Sequence, residues 1–301
     1  MNWEGVMPAI TTKFTNDDKL DLDLFNKNIN AQLDAGVSAI VLGGSLGEAS
    51  TLTADEKNIL TKNTISVTEG KIPIVVNIAE QSTKAAIKSA ISAEENGASG
   101  LMVLPPMRYK SCDLETVQYF KDIANSTSLP IMIYNNPVDY KIEVTLDMFD
   151  DLLEIENIQA VKESTRDITN ITRMKNRFGD RLKIMTGVDT LALESLIMGA
   201  VGWIAGLVCA FPYETVAIYK LQKIGKIDEA ITIYRWFMPL LELDINSKLV
   251  QNIKLAETYT GLGSENVRAP RLPLSGNERE SVISIIETAL ESRPDLSKYN
   301  F

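Results

Sequence analysis

Three side chains of this sequence have the types an amine-based reaction centre would need: Lys162, Tyr134 and Ser45. Lys162 comes at the end of Ile158-Gln159-Ala160-Val161-Lys162-Glu163, a run that otherwise reads as a buried strand. An amine walled in by hydrocarbon favours its neutral form, and a neutral amine is a nucleophile toward carbonyl carbon. The chain has no histidine. Histidine triads and histidine-ligated metals are thereby excluded, and acid–base work falls to Tyr, Lys, Asp, Glu or water. The plain alternative for Lys162 is a strand-end lysine that snorkels to solvent or pairs with Glu163. Tyr134 sits near the end of the run Pro130–Asn135 and brings a phenol that can donate or accept a proton. Its plain alternative is a core tyrosine with a satisfied hydroxyl.

The segment Gly43-Gly44-Ser45-Leu46-Gly47-Glu48 supplies a third part. Its glycines let the backbone approach a ligand closely, and successive N–H groups can cradle a carboxylate. The Ser45 hydroxyl can pass a proton toward Tyr134, whereas Glu48 reads as a residue that holds the loop by hydrogen bonds. An amine nucleophile, a phenol, a hydroxyl and an anion cradle suit a 2-oxo acid. Its ketone condenses with lysine while its carboxylate meets the amides. The resulting iminium is an electron sink for a carbanion on the adjacent carbon, which opens retro-aldol cleavage, aldol addition, dehydration and imine exchange. None of these reactions requires a metal or an organic cofactor.

These residues need a scaffold, and the hydrophobic pattern supplies one. Short apolar runs at 6–11, 38–42, 72–78, 100–105, 130–135, 158–163, 183–187 and 202–208 alternate with stretches of helical period. The helices are expected near 23–35, 53–68, 83–96, 114–126, 145–153, 168–178, 190–198 and 213–223. Thr53 and Glu56 have the spacing of a capping box, and Gly36, Gly97 and Gly199 follow helical patterns where a left-handed residue is wanted. Eight β–α units with near-continuous apolar strands predict an α/β fold, a (β/α)8 TIM barrel over residues 1–225. No glycine-rich dinucleotide fingerprint follows the first strand, which argues against an open doubly wound sheet. Residues 226–301 read as a C-terminal three-helix extension, with helices at 227–243, 246–261 and 276–292. Strand alternation puts Ile158, Ala160 and Lys162 on one face, with Tyr134 ending the preceding strand. In such barrels the C-terminal strand ends carry the chemistry.

Composition narrows the partners. The chain has 301 residues, is 45% apolar and carries a formal net charge of −10 spread along its length. A nucleic-acid or anionic-membrane partner is therefore not expected. Cys112 and Cys209 match no metal spacing and read as incidental thiols of a reduced, cytoplasmic protein. The amino terminus lacks the regions of a signal peptide, and no apolar run approaches the ~20 residues needed to span a bilayer.

With GSLGE at 44–48, YNNP at 134–137 and VKES at 161–164, the chain resembles the dihydrodipicolinate synthase/N-acetylneuraminate lyase superfamily of class I Schiff-base enzymes. TGVD at 186–189, GWIAGL at 202–207 and VRAPRLPLS at 267–275 extend the likeness along nearly the whole chain. The resemblance implies Lys162 as the Schiff-base lysine and Tyr134 as the relay phenol. It further implies a loop at Gly44, Ser45 and Leu46 whose amides bind the 2-oxo acid carboxylate, Ile204 beside the substrate, and a homotetramer built as a dimer of dimers.

Three positions depart from the lysine-pathway synthases. Leu46 replaces a relay hydroxyl, Met107 stands where those enzymes present a tyrosine across the dimer interface, and Asp139 replaces a carboxylate-gripping arginine. The pattern looks closer to enzymes that deaminate 1-pyrroline-4-hydroxy-2-carboxylate, so a small 2-oxo acid or cyclic imino acid is the expected substrate and that deaminase the expected activity. The alternatives are 4-hydroxy-tetrahydrodipicolinate synthase, a sugar-acid aldolase or dehydratase, and a non-catalytic barrel that senses a 2-oxo acid.

Overall fold

The apolar runs become eight parallel strands in a computed structural model that describes residues 1–106 and 108–301. They are β1 (Gly5–Pro8), β2 (Ile40–Leu42), β3 (Ile74–Ile78), β4 (Gly100–Val103), β5 (Ile131–Asn135), β6 (Ile158–Glu163), β7 (Lys183–Thr186) and β8 (Gly202–Ala205). Sequence neighbours pair from β2 to β8, and β8 pairs with β1. The cylinder closes where Ser38 N donates to Val6 O at 2.8 Å and Ile10 N donates to Val41 O at 3.1 Å. The expected TIM barrel is the fold.

Between the strands lie α1 (Leu22–Ala35), α2 (Ala54–Thr68), α3 (Thr83–Glu95), α4 (Asp113–Ala124), α5 (Pro137–Tyr140), α6 (Leu146–Leu152), α7 (Thr169–Phe178) and α8 (Ala192–Ile197). After β8 come α9 (Pro212–Lys223), α10 (Ile227–Leu241), α11 (Leu249–Thr260) and α12 (Gly276–Glu291). Local signals set several ends. The Thr53 hydroxyl accepts from Glu56 N at 3.2 Å while Glu56 accepts from Thr53 N at 2.9 Å, which closes the first turn of α2. Gly36, at φ +88°, ends α1 and donates its N–H to the carbonyls of Gln32 and Leu33.

Two expectations need correction. The run 202–208 does not continue as strand past Ala205, because Gly206 N and Leu207 N donate to the buried Asp189 carboxylate and the chain bends into a short turn at Leu207–Cys209. Within β6 the alternation is broken. A register shift lies opposite Ile131 and Met132, so Ile158 joins Ile131 and Val161 in the layer between sheet and helices. Ala160 and Lys162 keep the inward face, and Ile158 does not share it. The one-turn helix α5 is an addition; four residues are too few for a helical period to register.

The barrel interior is filled by Met7, Met102, Met132 and Met185, with Val41, Val75, Ala160 and Ile204, none more than 1% exposed. Trp3 plugs the lower end, its indole N–H donating to Gln159 at 3.1 Å. Outside, one apolar cluster runs from Phe25 of α1 through Phe211 to Phe237 of α10 and Ile286 of α12, so the C-terminal helices pack on the barrel wall. Helix α11 is also tied to the barrel's upper loops by two fully buried ion pairs, Lys13–Glu257 and Lys254–Glu48. Among the described residues no helix is long and apolar enough to cross a membrane.

Candidate active site

Lys162 and Tyr134 are direct partners across β5 and β6, near the C-terminal ends of both strands. Their side chains enter the barrel together, and Lys162 Nζ lies 4.1 Å from the centre of the Tyr134 ring. Only 7% of each residue is exposed, so the lysine does not snorkel to water. Nor does it pair with Glu163, which points the opposite way and accepts from Thr165 N at 2.9 Å and Asn135 Nδ2 at 3.3 Å. Burial lowers the pKa of Lys162 below the ordinary lysine value and outweighs Tyr140, Asp244, Asp189 and Asp139, whose charges pull upward. The Tyr134 phenol is pushed up to about 12, chiefly by burial and against a hydrogen bond from Asn136. Asn136 Nδ2 donates to Tyr134 Oη at 3.2 Å and to Asp139 at 2.7 Å.

The loop after β2 is built to expose its amides. Gly43 takes φ +63°, its carbonyl accepts from Asn77 Nδ2 at 2.9 Å, and the Gly47 carbonyl accepts from Thr12 at 2.7 Å. A methyl group on Gly47 would meet Ile10 O at 2.9 Å, so only glycine fits that close approach. Glu48 holds the loop as expected: it is fully buried, accepts from Lys254 Nζ, and accepts from Arg268 N at 3.0 Å. Neither the Ser45 amide nor the Leu46 amide donates to an acceptor among the described residues. Two N–H groups are thus left for a ligand beside the amine.

One detail differs from expectation. The Ser45 hydroxyl pairs with Tyr140 Oη, not with Tyr134. Tyr140 rides on α5, and its ring meets the Tyr134 ring edge-on, with centroids 5.6 Å apart and planes at 81°.

Lys162, Tyr134, Gly44, Ser45, Leu46 and Ile204 all line one cavity of about 220 Å³ at the C-terminal mouth of the barrel. Ile204 is placed by Asp189, whose carboxylate accepts from Trp203 Nε1 at 2.8 Å and Leu207 N at 2.9 Å on either side of it. Asp139 lies on the cavity wall, while Met107 lies outside the described residues. Sequence reasoning missed Tyr140, Arg166 and Asp244, which share the wall. Arg166 is exposed and has left-handed backbone at φ +64°, an uncommon state for a side-chain-bearing residue. Asp244 comes from the loop after α10, and burial raises its pKa well above the usual carboxylate range, helped by Asp189 and opposed by Lys162. Nothing local marks these three as site residues; fold closure brings them in.

A parallel (β/α)8 barrel with a buried lysine and a phenol at its catalytic mouth defines a lysine-amine enzyme class. The chain belongs to the dihydrodipicolinate synthetase family, whose sequence model matches residues 2–289. Members are class I Schiff-base lyases, and this chain is an enzyme of that type.

It is similar to 4-hydroxy-tetrahydrodipicolinate synthase 1 of Halalkalibacterium halodurans, 29% identical over 286 residues that cover 94% of this chain and 96% of the relative. The corresponding synthase of Exiguobacterium sibiricum is 30% identical, covering 95% of this chain and 97% of the relative. Among solved structures, the chloride-inhibited dihydrodipicolinate synthase of Acinetobacter baumannii complexed with pyruvate superposes with a TM-score of 0.92. It is 26% identical, with 96% of this chain and 99% of that one covered. These relatives bear the synthase name, so the expected hydroxypyrroline deaminase draws no support from them, and the synthase alternative fits them better.

Proposed function

We propose that Lys162 condenses with pyruvate or a close 2-oxo acid and that the enzyme makes or breaks a carbon–carbon bond beside the imine. The reaction is that of the 4-hydroxy-tetrahydrodipicolinate synthases it is similar to. The observation that carries the reading is the buried Lys162 amine, 4.1 Å from the Tyr134 ring at the barrel mouth. In this reading the neutral amine adds to the ketone, and Tyr134 protonates the departing hydroxyl as water. The iminium then loses a proton from the adjacent carbon to become an enamine nucleophile. The amides of Ser45 and Leu46, reached over Gly44, hold the carboxylate, and Ile204 packs on the substrate.

The test is borohydride reduction with pyruvate, followed by peptide mass spectrometry. A stable adduct on Lys162 is expected, absent in Lys162→Ala; an adduct elsewhere, or none, overturns the proposal. Carbon–carbon chemistry is then assayed with pyruvate and aspartate semialdehyde. One observation favours a second reading. Asp139 and Asp244 line the same cavity as Lys162, with Arg166 as a cation on its wall. Two acids beside one cation suit hydroxyl groups better than a second carboxylate, so sugar-acid aldolase or dehydratase activity is the other reading. A substrate panel separates the two. A homotetramer and a cytoplasmic location complete the proposal, checked by light scattering and cell fractionation.

A further inference from the structure

Tyr140 lies one helical turn beyond Tyr134, and the chain is shaped to fold it back. Asn136 caps α5 by accepting from Asp139 N at 3.2 Å, Pro137 fills the first helical position, and Lys141 at φ +64° ends the helix after a single turn. That turn lays the Tyr140 ring edge-on against Tyr134 and carries its hydroxyl to Ser45, which lies 95 residues away in sequence in the loop after β2. Tyr140 is half-buried against the inner apolar cluster, while Ser45 is exposed. Side chains in contact therefore lead from amine to solvent, through two ring contacts and one hydrogen bond: Lys162, Tyr134, Tyr140, Ser45. Every member belongs to the same chain.

We infer that Tyr140 is a proton-relay residue of this site, and that Tyr134, Tyr140 and Ser45 form a relay supplied by one chain without a residue from a second copy. The inference rests on the Schiff-base reading. The chemistry needs one proton delivered when the hydroxyl of the addition product leaves as water, and one removed when the iminium becomes an enamine. Tyr134 gives the first, is reprotonated from Tyr140, and Tyr140 from water through Ser45; the enamine step sends a proton back along the same line. Protons balance over the two steps, and no oxidant or reductant enters. The phenols meet through their rings, with their hydroxyls engaged by Asn136 and Ser45. Proton transfer between them needs a bridging oxygen, the substrate's own or a water's, as in catalytic hydrogen bonds that tighten only when substrate is bound. Burial raises the pKa of both phenols, so they enter the cycle protonated.

The rival source is a second copy, whose best candidate is Tyr109, 55% exposed in the loop after β4. Full-length Tyr140→Phe and Tyr109→Phe are compared with wild type. The measurements are borohydride trapping with pyruvate, exchange of the pyruvate methyl hydrogens with deuterium by NMR, and the solvent isotope effect on that exchange. Tyr140→Phe keeps the ring contact and should trap adduct to the wild-type extent, with pyruvate KM within about threefold. Its exchange should be slower by about 100-fold, with an altered solvent isotope effect that a purely structural role would leave alone. Tyr109→Phe should exchange at the wild-type rate. Wild-type exchange in Tyr140→Phe, or a loss confined to Tyr109→Phe, overturns the inference. If wild type itself traps no adduct, the Schiff-base reading fails instead, so the two failures are told apart.

Discussion

Adding one methyl group at Gly187 should disable Lys162 without unfolding the barrel. A Cβ built on Gly187 would come to 2.6 Å from both Cγ and Cε of Lys162, and closer still to Ser164 Oγ. Carbon atoms in contact settle at ~3.5–4.0 Å, so the lysine must move by about 0.9 Å or more. The backbone cannot retreat to make room, because Gly187 N donates to Glu163 O at 2.9 Å and ties the end of β7 to β6. The displacement falls on the side chain whose amine is proposed to attack the carbonyl carbon. A misplacement of ~1 Å can cost about 100-fold in rate, while overpacking of this kind costs about 1–3 kcal/mol in stability. Gly187→Ala should therefore remain folded by circular dichroism, with a modestly lower urea midpoint. Adduct formation with pyruvate, followed by rapid-quench borohydride trapping, should slow by about two orders of magnitude. Adduct formation at the wild-type rate in a folded Gly187→Ala protein would refute the packing argument and the placement of Lys162 with it.

Other outcomes follow from the same geometry. Tyr134→Phe should lower kcat by about 10²- to 10⁴-fold while still trapping adduct, since it removes the proposed proton carrier and leaves the amine and the amides in place. Because burial holds Lys162 below the ordinary lysine pKa of 10.5, its neutral fraction grows as pH rises through a lowered value. The adduct-formation rate at subsaturating pyruvate should reach its plateau well short of pH 10.5, and a midpoint at or above that value would contradict the burial. Glu48→Gln deprives the buried Lys254 ammonium of its carboxylate partner, and should cost up to about 3–5 kcal/mol in urea unfolding while that amine is protonated. Burial, against the pull of Glu48, lowers the pKa of Lys254 from the ordinary 10.5 to about 8, so the unfolded chain binds its proton more tightly than the folded one. The stability of Glu48→Gln should accordingly rise with pH from neutrality upward, more steeply than that of wild type.

The barrel was legible because a parallel strand buried on both faces must be apolar along its length, and eight such runs separated by helical periods leave few other folds. Lys162 was legible for the converse reason: a charged residue at the end of such a run has to be accounted for. The loop at Gly43–Glu48 announced itself through its glycines, and Glu48 could be read as a brace, although its partners Lys254 and Arg268 lie more than 200 residues away. The face assigned to Ile158 was wrong because alternation assumes an unbroken ladder, and the register shift beside Met132 exists only in the paired sheet.

What the order of amino acids determined on its own was the scaffold and the residue types offered for chemistry: a lysine, a phenol, a glycine-containing loop, and the periodicity that stacks them at strand ends. Residue type and spacing carry that information locally. Only the closed tertiary structure decided that Ser45 answers to Tyr140, that Asp244 reaches the mouth from beyond α10, and that Arg166 and Asp139 share its wall. Those contacts join segments that local patterns leave independent. Their geometry comes from strand register, barrel closure and the docking of α11, and these depend on long-range packing that no single stretch of chain encodes.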